Sequence, residues 1–244
     1  MKMNCLNARK ILLLLIALGV LVQSVPAMLT FVAEGTSAKN VEVRFEAELT
    51  ISGDMLTIVL INNSPVDSLN PDDLLGSFYF DIVNGDGVRP VMTYDSATGD
   101  TYKGVKNGTD IMLEAGADLR AFIDGDGGWQ FKDMNAAYVP NLGFGIGTVG
   151  NSNLFPNGFD GNIVDGVDFA IFTGEITTQP LTNPDALVKE TAVFTFSGLT
   201  GFTEDDIVND FAFGLGTAPD SLLTPEPATL AILGLGGLLL RRKK

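Results

Sequence analysis

The stretch VEVRFEAELTISGDMLTIVLI, residues 41–61, decides the fold class of this chain. In residues 41–51 apolar side chains alternate with charged or polar ones, the period of two that turns one face of a β-strand to a core and the other to water. The Ser-Gly-Asp sequence at 52–54 supplies turn chemistry, and residues 55–61 return as a second, more apolar strand. The stretch therefore predicts an antiparallel β-hairpin.

The rest of the chain between its two ends also reads as β-structure. Gly, Asn and Asp residues interrupt it every eight to fifteen residues, and helical periodicity is almost absent, which is typical of sandwiches and barrels. The prediction is an all-β fold, a single antiparallel β-sandwich domain of the jelly-roll or Ig-like kind. Thr203 and Asp206 have capping-box spacing and predict a short helical turn. Further strands are predicted over residues 76–83, 88–94, 119–123, 129–132, 142–149, 167–173, 192–197 and 211–215.

The first 27 residues read as a secretory signal peptide with a helical apolar run. Three cations within the first ten residues precede this run at residues 11–22, and small residues ending at Ala27 offer a cleavage site. The alternative is a retained transmembrane anchor, but the twelve residues of the run rise only about 18 Å as a helix, short of the roughly 30 Å hydrocarbon core. We expect residues 28–40 to follow as a flexible lead-in.

The body of the chain is strongly acidic. Without residues 1–27 and 225–244 it has 8 basic and 29 acidic residues, a net charge of −21. Such a surface repels phosphate backbones, so we expect no nucleic-acid partner. The only cysteine, Cys5, precedes the apolar run. The mature domain therefore has no disulfide and must be stabilised by a hydrophobic core, which about 200 residues are enough to bury.

The last twenty residues have three parts in a fixed order. Pro225, Glu226 and Pro227 come first, and the prolines keep this stretch extended and open to a peptidase. An apolar run broken only by glycines follows, and it predicts a short transmembrane helix. The chain then ends in four cations, which stay on the cytoplasmic side of a membrane: Arg241, Arg242, Lys243 and Lys244.

The apolar run at 228–240 has thirteen residues, which is short for a permanent anchor. A weak anchor suits a segment that is held briefly and then cut. The alternative, a buried C-terminal core helix, would have to hide four consecutive cations and three glycines. We therefore predict a sorting signal at 225–244, joined by a tether at 217–224 to a domain at 41–216.

The tail resembles the PEP-CTERM sorting signal, which an exosortase processes in bacteria that make exopolysaccharide. The resemblance implies export through the translocon, a precursor anchored transiently in the inner membrane, and a final place on the cell surface or in the extracellular matrix. Exopolysaccharide is then a candidate partner. Scattered segments of the body resemble the XDD-type exosortase-dependent surface proteins, a family defined by sorting, so this likeness supplies no catalytic residue. The segments that carry this likeness are residues 49–64, 73–82, 165–171 and 192–199.

The common catalytic constellations are missing from the sequence. The chain has no histidine and its body no cysteine, which excludes Ser-His-Asp, Cys-His and histidine-containing zinc sites. No phosphate loop or dinucleotide fingerprint is present. With 29 acidic residues in the body, some pair will have glycosidase spacing by chance. Trp129 is the only tryptophan, and we expect it in the core rather than on a sugar-binding platform.

Two short loops carry the hard oxygen ligands that Ca²⁺ prefers. Asp124 and Asp126 alternate with glycine in one loop, and Asn84 and Asp86 do so in the other. Neither loop fits an EF-hand, because an apolar residue takes the first ligand position, and the same pairs are ordinary β-turn chemistry. Calcium is the one candidate cofactor, and no other cofactor is expected.

We therefore expect a non-enzymatic surface or matrix protein with a structural or binding role. The alternative is a secreted carbohydrate-binding or carboxylate-based carbohydrate-active module, with or without calcium. Acids that converge in a concave site would favour the alternative, whereas acids spread over solvent-facing loops would favour the first interpretation.

Overall fold

The computed structural model describes residues 27–104, 111–120, 128–133, 142–148, 168–176, 181, 186–216 and 222–224. Over these residues the chain forms twelve strands and two short 3-10 helices, so the predicted all-β class is confirmed. The 3-10 helices are Pro71–Asp73 and Glu204–Asp206. The strands are β1 Met28–Thr36, β2 Glu42–Ser52, β3 Met55–Asn62, β4 Leu75–Phe80, β5 Thr93–Lys103, β6 Ile111–Asp118, β7 Gln130–Asp133, β8 Phe144–Gly147, β9 Ile171–Phe172, β10 Leu187–Ser197, β11 Ala212–Leu215 and β12 Leu222–Leu223.

The hairpin predicted at residues 41–61 is formed by β2 and β3. Their register runs from Phe45 opposite Asn62 to Ser52 opposite Met55. Along both strands buried residues alternate with half-buried ones, as the period of two requires. Gly53 has a φ of 64° in the turn, a conformation that glycine adopts at little cost.

The segment predicted as a flexible lead-in contains a strand instead. Met28–Thr36 forms β1 and pairs antiparallel with β2 along its whole length. Phe31 and Ala33 are buried in the main core. The hairpin alone would leave the edge of β2 unpaired, and β1 satisfies those backbone groups while covering the core.

All twelve strands belong to one hydrogen-bonded sheet, in the order β1-β2-β3-β10-β9-β4-β11-β12. Outside this path β5 pairs with β10 and β6, and β8 pairs with β4 and β7. Among the described strands β9 departs from the predicted antiparallel arrangement, because it runs parallel to β10. It also pairs with β4 at a single position, so β9 joins the two halves of the sheet.

The two halves of the sheet face each other across a core rich in phenylalanine. Phe45 of β2 lies 5.9 Å from Phe213 of β11, measured between ring centroids. Phe196 of β10 lies 5.0 Å from Phe131 of β7. The arrangement is sandwich-like, although β9 makes the sheet continuous. Trp129 is 1% exposed and its ring packs on a phenylalanine, so its predicted core position is confirmed.

Several predicted strands have different limits in the structure. The strand predicted over 88–94 begins only at Thr93, because Pro90 cannot donate a backbone hydrogen bond to a sheet. Most of β5 and all of β6 were not predicted. Leu119 and Arg120 form a turn, and the remainder of the predicted strand 119–123 lies outside the described residues. The helical turn predicted near Thr203 is confirmed as a 3-10 helix with a capping box.

Candidate functional site

The structure describes the residues that join the domain to the predicted sorting signal. Leu222–Leu223 forms β12 and pairs antiparallel with β11 through Phe213 and Gly214. Leu223 is half-buried and packs against the main core. The segment predicted as a tether, residues 217–224, therefore has its C-terminal end attached to the sheet. Thr224 is exposed and is the last described residue.

The remaining predicted sorting and targeting residues mostly fall outside the described ranges. Residues 225–244 lie outside them, including the Pro-Glu-Pro triplet and the four terminal cations, and so do residues 1–26. Ala27, the predicted cleavage position, is exposed and directly precedes β1. Within the described part of the chain, no helix is both long and apolar enough to cross a bilayer.

Of the candidate calcium ligands, Asn84 and Asp86 are described, whereas Asp124 and Asp126 lie outside the described residues. The Oδ1 atom of Asn84 accepts hydrogen bonds from the backbone N–H groups of Asp86 and Val88, at 3.1 and 2.9 Å. Gly87 has a φ of 77° and donates its N–H to the Asn84 carbonyl. The Asn84 side chain thus serves as a turn acceptor.

The described carboxylates do not converge on one site. Across the described ranges, no group of three or more His, Cys, Asp or Glu side chains could hold a metal ion. The buried carboxylates in these ranges are Asp73 and Asp81, at 1% and 2% exposure. One oxygen of Asp73 accepts the backbone N–H groups of Leu69 and Asn70, which fixes the start of the first 3-10 helix.

Asp81 is neutralised by a bidentate ion pair. Arg89 donates from Nε to Oδ1 of Asp81 at 2.8 Å and from Nη2 to Oδ2 at 2.7 Å. Because Asp81 accepts these hydrogen bonds, the pKa of Arg89 is raised above its usual value. Gly143 leaves room for the pair, since a Cβ atom there would lie 2.4 Å from Nε of Arg89 and 2.5 Å from Oδ1 of Asp81. The pair anchors the loop after β4 and is structural in character.

An open groove with mixed aromatic and polar walls lies beside β7. It is an open depression of about 510 Å³. Phe196 stacks on the Tyr94 ring at 5.3 Å, and the Arg120 guanidinium lies over that ring at 5.9 Å. Little of the ring face is therefore left for a sugar. The groove is lined by Tyr94, Asp118, Arg120, Trp129, Gln130, Phe131 and Lys132.

The polar wall of this groove is held by an internal ion pair. Arg120 donates from Nε and Nη2 to the two oxygens of Asp118, at 3.0 and 3.1 Å. These hydrogen bonds lower the pKa of Asp118, while burial raises the pKa of Tyr94. The carboxylate stays ionised and the phenol stays neutral at ordinary pH, so neither group is poised for proton transfer.

The sorting segment is predictable from the sequence, whereas its attachment to the domain is not. The triplet, the apolar run and the cations are a local pattern. The pairing of β12 with β11 also joins segments that are close in sequence. However, Leu222 and Leu223 are only two residues and are both apolar, so they show no alternation that would predict a strand. The apolar Leu-Leu pair before Pro225 was the available signal.

Comparison with known families finds a match at the C-terminal end of the chain. Residues 223–244 match the family described as the PEP-CTERM protein-sorting motif. Comparisons with curated proteins and with solved structures found no match. The match does not extend to the body, so the likeness to XDD-type proteins stays a prediction. The motif implies an exported protein that is anchored transiently in the membrane and sorted by an exosortase: the chain carries a PEP-CTERM protein-sorting motif at its C-terminal end.

Proposed function

We propose that the mature domain is a non-catalytic structural or binding protein of the bacterial surface or extracellular matrix. The observation that carries this proposal is the attachment of a sorting motif to a sheet domain whose described acids are spread apart. Of the two buried carboxylates in the described ranges, Asp81 is paired with Arg89. Oδ2 of Asp73 accepts backbone N–H groups, and its buried Oδ1 has no hydrogen-bond partner among the described residues. General acid and base chemistry needs paired, perturbed groups in one cleft.

The proposed route begins with export through the translocon and removal of residues 1–27. The apolar run at 228–240 then holds the precursor in the inner membrane, with the four terminal cations inside. An exosortase cuts at or near Pro225, Glu226 and Pro227 and releases or transfers the domain. Exopolysaccharide is the proposed partner at the destination.

The test is the identity of the two ends of the mature protein recovered from the native cell. Intact-mass and terminal-peptide analysis should give a first residue near Met28 and a last residue near Pro225. Replacement of both Pro225 and Pro227 by alanine should leave a membrane-bound precursor. Recovery of an intact Lys244 from the parent protein would instead indicate a simple anchor and would refute the sorting step.

A second candidate function is saccharide binding in the groove beside β7 through its polar side chains, because little of the Tyr94 ring face is left for a sugar to stack on. Binding of the native exopolysaccharide to the purified domain, followed by calorimetry, would test it. The variant Gln130→Ala should weaken that binding, while Asn63→Ala, on a different groove, should not. Absence of heat with the parent domain would remove this candidate and leave the structural role.

Calcium binding stays a proposal for the loop with Asp124 and Asp126. Thermal melting of the domain should shift upward with millimolar Ca²⁺ if the loop binds the ion, because a ligand of the folded state alone stabilises that state. The variant Asp124→Asn should abolish such a shift. An unchanged melting temperature in the parent domain would exclude calcium at both loops.

A further inference from the structure

Leu223 of β12 lies between β11 and Gly35 of β1. It is opposite Phe213 in the β11–β12 pair and packs against the main core. On its other side it meets Gly35 of β1, where an added Cβ would lie 2.5 Å from Cδ1 of Leu223. The space left by the missing side chain of Gly35 is thus filled by Leu223. We call this arrangement the Leu223 seat.

The sorting motif begins inside the folded domain. Its match starts at residue 223, and Thr224 alone separates Leu223 from Pro225. One extended residue spans at most about 3.6 Å. A peptidase that holds its substrate extended in a cleft needs several residues, so the wall of the sheet obstructs it while β12 is paired.

Release of β12 changes this geometry. The nearest described residue before β12 is Gly216, whose N–H is bonded to the carbonyl of Leu74. The eight residues 217–224 then separate that point from Pro225, and a chain of this length reaches at most about 29 Å. The strand that must open has two residue pairs and half-buried side chains, features of a segment with a low free energy of local opening.

We propose that the Leu223 seat controls access to the sorting motif: the exosortase acts on the state in which β12 has left β11 and Gly35. This inference rests on the proposed function, in which an exosortase cuts at the Pro-Glu-Pro triplet. Gly35 and Leu223 are positioning residues, because they act on where the triplet lies. The seat slows processing as long as it is closed.

The test uses the full-length chain in its native cell and the rate at which precursor becomes mature protein in a pulse-chase experiment. Gly35→Ala places a methyl group 2.5 Å from Cδ1 of Leu223, so that this end of the side chain must shift. The variant should raise the rate by about twofold, the change expected when a short segment opens somewhat more often. Gly85→Ala is the matched control, since a Cβ at Gly85 has no atom within 4 Å. Its rate should equal that of the parent.

A second variant leaves the domain unchanged and lengthens the chain. Insertion of Gly-Ser-Gly-Ser between Thr224 and Pro225 adds at most about 14 Å of reach and should also raise the rate. In this background Gly35→Ala should add little, because access no longer depends on β12. Such non-additivity separates access from a general loss of stability, which thermal melting of each variant measures directly.

The outcomes are distinct. If the parent is cut at the triplet but Gly35→Ala and the insertion both match it, the seat has no role and the inference fails alone. If Gly35→Ala slows processing, the closed seat is the form that is cut and the inference is again overturned. If the parent is not cut at the triplet at all, the proposed function fails and takes the inference with it.

Discussion

Individual charged residues in this domain have two kinds of partner. Arg89 reaches a carboxylate that is almost fully buried, whereas Arg44 pairs with Glu34 at the surface, where their side chains are 39% and 63% exposed. A buried carboxylate that loses its partner keeps its desolvation cost, while an exposed one is solvated by water. The two arginines therefore differ in what their removal does.

Replacement of Arg89 by alanine should lower the free energy of unfolding by about 2 to 3 kcal/mol, because it leaves Asp81 charged and buried. This loss is smaller than the largest losses expected when a fully buried ion pair is broken, since the Arg89 side chain is 38% exposed. Arg44→Ala is the control and should cost less than about 1 kcal/mol. Urea unfolding of the domain, residues 28–224, measures both. Equal losses for the two variants would contradict this assignment.

Asp54 gives the domain an acid-sensitive contact. Hydrogen bonds from the Thr200 side chain and from the Gly198 backbone lower the pKa of Asp54 below its usual 3.8. A carboxyl group whose pKa is lower in the folded state stabilises that state above its unfolded pKa, and the contribution is lost as the pH falls through the folded value. The contact therefore acts at neutral pH and fades below about pH 4.

Asp54→Asn should reduce the melting temperature at pH 7 and flatten its decline between about pH 4 and pH 2. Thr200→Val removes the hydroxyl donor and should act in the same direction. Melting curves at several pH values test both variants. A decline in acid as steep as that of the parent would show that the Asp54 contact does not contribute.

At the scale of strands, the alternation of apolar and polar residues made β2 and β3 predictable. Strands without this alternation were not predicted. In β6 seven of the eight residues are exposed, so no buried face imposes a period of two on the sequence. β1 has buried Phe31 and Ala33, but Gly35 interrupts the apolar side of the strand. The sequence thus predicted the class and the central hairpin. The pairing that completes the sheet depends on distant partners and could not be predicted locally.

The role of β1 as part of the fold can be measured through Phe31. Its ring stacks on Phe211 at 4.5 Å between centroids, and the residue is 4% exposed. Phe31→Ala should reduce the free energy of unfolding by about 3 kcal/mol or more, the cost of a buried aromatic cavity. Met28→Ala, at the 58% exposed start of the same strand, should change it little. A flexible lead-in would make both changes silent in urea unfolding.

For the whole molecule, β1 separates Ala27 from the Leu223 seat. Ala27 precedes one end of the strand, and Gly35 near the other end contacts Leu223. Eight strand residues rise about 26 Å, so Ala27 and the Leu223 seat lie at well separated points of the domain. In the proposed route, removal of residues 1–27 leaves the segment after Leu223 as the link between the domain and the membrane.

The sorting signal should therefore act without the domain. Residues 217–244, fused to an unrelated exported reporter in a cell with the sorting enzyme, should make the reporter a processed surface or matrix protein. The reporter has no Gly35 to seat Leu223, so its processing should be at least as fast as that of the native chain. The same fusion with Arg241, Arg242, Lys243 and Lys244 replaced by serine should pass through the membrane without being held, because cations inside fix the apolar run. Fractionation of cells and medium with terminal-peptide analysis distinguishes these outcomes, and a reporter that travels as if unmodified would contradict the assignment of the address to this segment.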